Sequence, residues 1–212
     1  MWRTGCLVLA ITLMAYSAGS WLTQDFRVWT SEGARRLSVA QTPVDAPDVA
    51  MLRSDGVEAR LPDLLRSRDA ITIVDLVYTR CATVCLALGS AFQQMQSELA
   101  ADATPAAARI RLVSISFDPA HDTPAVLTAY SRAQRADPKR WQWAVPARST
   151  DLDRLLRAFA VVVIPDGLGG YEHNAGLLVI DRNGRLVRVF DPTETSPALT
   201  FARRLAAAGS LS

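Results

Sequence analysis

Lysine is almost missing from this 212-residue chain: Lys139 stands alone, and arginine carries the rest of the positive charge. With the high alanine content, that usage hints at a GC-rich bacterial genome, an inference from composition that carries no physical argument. The 23 basic residues are offset by 21 acidic ones, for a formal net charge of +2. No block of basic residues interleaved with aromatics stands out, so nucleic acid is not indicated as a partner. Histidine occurs only twice, at His121 and His173, and cysteine three times, at Cys6, Cys81 and Cys85.

What the N-terminus lacks is charge. Between Arg3 and Asp25 lie 21 consecutive uncharged residues, most of them apolar over 6–22. At about 1.5 Å of rise per residue this makes roughly 30 Å of helix, enough to cross a hydrocarbon core. Trp2 and Trp21 stand at its two ends, where interfacial aromatics belong. Residues 1–24 therefore read as an uncleaved, single-pass signal anchor in a bacterial inner membrane. The small residues Ser17, Ala18 and Gly19 leave cleavage as the alternative. Either way the remainder is exported and the Arg3-bearing end stays inside, which puts the globular part in the periplasm. Cys6 precedes the apolar run, so it is not placed as a lipid acceptor.

Residues 25–49 are polar, weakly patterned and proline-containing, and read as a flexible tether. The globular domain spans 50–212. Arg53-Ser54-Asp55-Gly56-Val57 reads as a hairpin turn, and residues 61–65 as a short helical turn. Residues 71–78 are almost continuously apolar and β-branched, as a central strand covered on both faces should be. Asp75 interrupts that strand and needs a partner. Leu88, Phe92, Met95 and Leu99 recur at helical spacing, and residues 109–117 form a second strand. Thr123-Pro124 opens a helix to about 134, 141–145 is a short strand, and Ser149 or Thr150 with Asp151 caps a helix to about 160. Two strands at 175–181 and 185–190 are joined through Asn183-Gly184, and a last helix runs over 196–208. This is an α/β order, and specifically that of a thioredoxin-like fold.

In such a fold, the end of the first central strand and the start of its helix form the functional corner, where Cys81 and Cys85 fall. Residues i and i+4 on a helix lie one above the other, so two thiolates there can share a soft metal ion or close into a disulfide. A helix N-terminus favours thiolate over thiol. Thiolates select Cu(I), zinc or iron–sulfur, and an added imidazole makes a set that copper tolerates in both oxidation states. In an exported protein a structural disulfide is the competing reading of the same pair. His173 follows a glycine-rich segment (Gly167, Gly169, Gly170) just before a strand, a suitable place for a mobile ligand. His121, Asp118 and Asp122 read as surface, turn or cap residues. Trp141 and Trp143 read as residues that pack or flank a partner surface rather than hold a ligand.

Three motifs occur in order: residues 73–85, ending Tyr78-Thr79-Arg80-Cys81-Ala82-Thr83-Val84-Cys85; residues 113–124, with Asp118-Pro119 and Asp122-Thr123-Pro124; and Tyr171-Glu172-His173. Together they resemble the Sco/SenC family over residues 50–190. The resemblance implies a thioredoxin-fold, membrane-tethered copper chaperone for cytochrome c oxidase assembly. It also implies Cys81, Cys85 and His173 as ligands to Cu(I) or Cu(II), and oxidase subunit II as the recipient. Three departures stand out: Leu86 where proline usually follows the second cysteine, Glu172 for the common Asp, and Asn174 for the usual Ser or Thr. The alternative function is a thiol–disulfide oxidoreductase, with Cys81 and Cys85 catalytic. Such enzymes usually carry CxxC and a proline just before the penultimate strand. Residues 170–178 contain no proline and offer His173 instead.

Overall fold

The computed structural model describes residues 2–23, 28, 30–66, 70–81, 84–167 and 169–208, except the side chains of residues 3, 22 and 84–87. In chain order the elements are α1 (Trp2–Leu22), α2 (Ser31–Gln41), β1 (Val44–Asp45), β2 (Ala50–Arg53), β3 (Glu58–Arg60), α3 (Leu61–Leu65), β4 (Ile71–Val77), α4 (Val84–Ala101) and α5 (Pro105–Ala108). There follow β5 (Ile110–Ser116), α6 (Pro124–Ala133), β6 (Trp141–Pro146), α7 (Ser149–Ala158), β7 (Val163–Pro165), β8 (Tyr171–His173), β9 (Leu177–Ile180), β10 (Arg185–Phe190) and α8 (Thr195–Ala208).

Eight strands form one sheet in the order β1-β10-β9-β4-β5-β6-β2-β3. At its centre β4 pairs parallel with β5 and antiparallel with β9, and β5 pairs parallel with β6. Every residue of β4 is buried. That explains its unbroken apolar sequence, because a strand covered on both faces has no solvent side to alternate with. Ile73 is wholly buried, and cutting it to alanine would cost about 2–5 kcal/mol. Helices α4 and α8 pack on each other and on β4 and β5. Trp141 of β6 stacks on Trp143 at 5.1 Å and meets Phe92 of α4 at 5.4 Å, so both indoles serve the core. The turn between β9 and β10 closes through Gly184, whose φ of 80° only glycine adopts without strain.

The α/β, thioredoxin-like fold read from the sequence is the one observed, with α1 as a candidate membrane anchor. Helix α1 is long and apolar enough to cross a membrane, and none of its apolar window is buried. Three expectations need correction. Most of the stretch assigned to a tether belongs to the globule: α2 packs on β10, and β1 adds a strand beside β10. The cap of α7 is Arg148, which makes no side-chain capping bond; Asp151 instead accepts a bond from Arg148 Nε at 2.8 Å. A separate two-stranded sheet, β7 with β8, also appears where only a loop was expected.

Candidate metal site

The corner is held from β5. After β4, residues 78–81 turn, with the Cys81 N–H donating to the Tyr78 carbonyl at 3.3 Å. Asp122, fully buried, accepts from the Thr79 N–H, the Thr79 hydroxyl and the Ser116 hydroxyl at 2.9, 2.5 and 2.6 Å. Asp118 accepts from Arg80 Nη2 at 2.8 Å. The two aspartates thus do more than cap their own turn: they fasten the segment that delivers Cys81. Cys81 is buried. It stands in the turn before α4, which starts at Val84, so the pair does not occupy one helix face as i, i+4 spacing predicts. Cys85 lies in the first turn of α4; its side chain, together with residues 82 and 83 and the Leu86 side chain, lies outside the described residues.

His173 closes β8, opposite Val163 of β7. Its ring meets Phe117 edge-on, with centroids 4.9 Å apart. Phe117 packs against Tyr78 at 5.2 Å and Tyr171 at 5.7 Å. The Tyr78 hydroxyl accepts from the Tyr171 N–H at 3.1 Å. The turn bearing Cys81 and the strand bearing His173 are therefore attached to one aromatic cluster. His173 also borders a cavity of about 510 Å³ shared with Glu32, Arg35, Ile164 and Asn174. Burial pushes its pKa below the usual 6.5, so the imidazole is neutral near pH 7, the form that binds a metal.

Sequence reasoning missed Tyr78, Phe117 and Tyr171 as scaffolding. A signal existed only for Tyr171, two residues before His173 on the same face of a strand; Tyr78 and Phe117 directly follow β4 and β5, and the register of those strands is what brings them side by side. His121 Nδ1 lies 2.9 Å from Asp122 Oδ1, and Asp118, His121 and Asp122 cluster closely. Asp118 and Asp122 are buried and their carboxylates also reach Thr79 and Arg80, which goes beyond the turn and cap roles read from the sequence.

The family model described as SCO1/SenC matches residues 66–207. The chain belongs to the SCO1/SenC family. A SCO1 protein homolog of Bacillus subtilis (strain 168) is 21% identical over 145 residues, which is 68% of this chain and 72% of the relative. The structure of Bradyrhizobium japonicum ScoI with copper bound superposes with a TM-score of 0.63 at 21% identity, covering 76% of this chain and 99% of that one. BsSco, a member of the Sco family of cytochrome c oxidase assembly proteins in which a disulfide switch was identified, gives a TM-score of 0.66 at 17% identity, covering 81% and 96%. In this SCO1/SenC chain α2 and β1–β3 lie ahead of the residues matched by the family model.

Proposed function

We propose that this SCO1/SenC protein is an exported copper chaperone, anchored in the inner membrane by α1, with its domain in the periplasm. Copper is its cargo: Cys81 and Cys85 bind it as thiolates and His173 as a neutral imidazole, and the ion passes to an acceptor such as cytochrome c oxidase subunit II. The observation that carries this reading is the shared aromatic cluster. It links the Cys81 turn to the His173 strand, although 92 positions separate the two residues in sequence. Two soft sulfurs and one imidazole suit Cu(I) and Cu(II) alike. Copper bound to ScoI and the assembly role of the Sco family support the cargo and the recipient. Transfer is ligand exchange: each acceptor ligand that binds copper displaces one of these three, and no electron moves. Because the thiols must be reduced and deprotonated, oxidation or acid weakens binding.

A second reading is favoured by the disulfide switch of BsSco. Here one thiolate attacks an acceptor disulfide, the other resolves the mixed disulfide, and the chain ends oxidised while the acceptor gains two thiols.

The test is anaerobic loading of the reduced full-length protein with Cu(I) and then Cu(II), in the parent and in Cys81→Ser, Cys85→Ser and His173→Ala. One copper per chain is expected, with the sulfur-to-copper absorption lost in either cysteine variant. In His173→Ala, Cu(II) should weaken strongly while Cu(I) binding stays measurable. A parent that holds no copper but cycles a Cys81–Cys85 disulfide against a partner's thiols would decide for the oxidoreductase.

A further inference from the structure

Helix α2 lies ahead of the family match, yet it reaches the hairpin that carries His173. One end of the link is Glu32. Its Oε1 pairs with Arg35 Nη1 at 3.1 Å, and its Oε2 accepts from Asn174 Nδ2 at 3.3 Å, on the residue directly after His173. Asn174 is itself the knot of the hairpin base. Its Oδ1 accepts from the Val162 N–H at 2.7 Å, its own N–H donates to the Val162 carbonyl at 3.3 Å, and its Nδ2 donates to the Ala160 carbonyl at 3.1 Å. A serine or threonine cannot make this set, because it lacks an amide that accepts and donates at once.

The second link is Arg35, 8% exposed, whose Nε donates to the Phe159 carbonyl at 3.1 Å where the chain enters the hairpin. Its guanidinium passes Gly176, where the chain leaves it. A Cβ at Gly176 would lie 3.7 Å from Arg35 Nη1, and only 3.1 Å from Val189 Cγ1 and 3.3 Å from the Phe190 carbonyl. Helix α2 is anchored in turn on the main sheet. Val39 is in the core, and Arg36 pairs with Asp191 and Glu194 beyond β10 at 3.4 and 3.2 Å.

We infer that α2 is a clasp that sets the His173 hairpin against the domain, with Glu32, Arg35 and Asn174 as positioning residues for the histidine ligand. The β7–β8 pair is only three residues long on each side and is separate from the main sheet, so its own ladder is a weak constraint. Bonds from α2 to both ends of the hairpin supply what the ladder lacks. The consequence for copper is asymmetric: loosening the clasp degrades binding through the imidazole and leaves binding through the thiolates alone. That part rests on the chaperone reading; the mechanical part does not.

The test uses the full-length protein with Glu32→Ala, Glu32→Gln and Arg35→Met. In the metal-free protein, hydrogen exchange of the 162–174 amides should quicken about tenfold in Glu32→Ala, the scale of losing one hydrogen bond to a charged group, while β4 and β5 amides keep the parent rate. Glu32→Gln, which still offers Asn174 an acceptor, should recover most of the protection. On loading, Glu32→Ala and Arg35→Met should change the Cu(II) electron-spin spectrum and weaken Cu(II) by a larger factor than Cu(I), which the two thiolates still hold. Hairpin amides that exchange as in the parent, or core amides that quicken equally, would overturn the clasp. A parent that binds no Cu(II) would instead overturn the chaperone reading, with the exchange result standing by itself.

Discussion

Asp122 holds Thr79 twice, accepting from its hydroxyl at 2.5 Å and from its backbone N–H at 2.9 Å, two residues ahead of Cys81. A fully buried carboxylate with these bonds and one from Ser116 is the main polar tie between the β4 and β5 corners. Asp122→Ala should lower stability by about 2–4 kcal/mol, since it strands the buried Ser116 hydroxyl and two partly buried donors of Thr79. It should also speed alkylation of the reduced Cys81 thiol. Denaturant melts and timed alkylation in a Cys85→Ser background check both; a loss below about 0.5 kcal/mol, the range of ordinary surface changes, would refute the role.

Asp75 sits in the middle of β4, opposite Ser114 of β5. Burial raises its pKa from 3.8 to about 7, and the Ser114 hydroxyl pulls it back only in part. Ser114 also accepts from Trp141 Nε1 at 2.8 Å. Between about pH 4 and 7 the unfolded chain gives up this proton and the folded chain keeps it, so stability falls as pH rises through that window. The full effect is of the order of 4 kcal/mol. Asp75→Asn cannot ionise, so its advantage over the parent should grow from pH 4 to pH 7 and then level off. Parallel stability curves for the two proteins would contradict the assignment.

His173 titrates below 6.5 because it is desolvated. A proton therefore competes for this imidazole only at pH values lower than for a free histidine. The Cu(II) affinity gap between parent and His173→Ala should be constant from pH 8 to 6.5 and narrow only beneath that, with thiol protonation cancelling between the two. A gap already shrinking above pH 7 would mean that the ring is solvated.

Ala160 has a φ of +49°, the left-handed conformation that closes α7. The Val161 N–H donates to the Leu156 carbonyl and the Ala160 N–H to the Arg157 carbonyl, at 2.8 and 3.2 Å, the bond pair of a Schellman ending. Glycine fits that conformation without the clash of a Cβ. Ala160→Gly should raise stability by about 0.5–1 kcal/mol, seen as a higher denaturant midpoint at unchanged slope. No gain, or a loss, would show that the surroundings favour the methyl group.

The central strands, the helices that follow Thr123 and Glu194, and the Asn183-Gly184 turn were legible because each rests on local periodicity or one strong turn signal. Helix α2 was not. Its 11 residues hide an arginine among the buried positions, and Arg35 counts as solvent-facing in any hydrophobic pattern. Strands β7 and β8 were invisible for a different reason: three residues each are too short to show alternation, and what aligns them is Asn174 reaching back to Val162. The ligand candidates were picked out by residue type and motif. The aromatic support around His173 needed the register of β4 on β5, which no local pattern carries.

Because α2 belongs to the domain, only residues 23–29 remain between the end of α1 and the start of the globule. Seven residues reach about 25 Å at full stretch, and the bond from the Val28 N–H to the Thr23 carbonyl, 2.9 Å long, shortens even that. If α1 is the anchor proposed above, so short a connection would keep the domain beside the lipid surface. On the proposed chaperone reading, delivery would then be a search in two dimensions: donor and a membrane-bound recipient would meet by drifting sideways along one membrane, and a receiving site close to the lipid would be within reach.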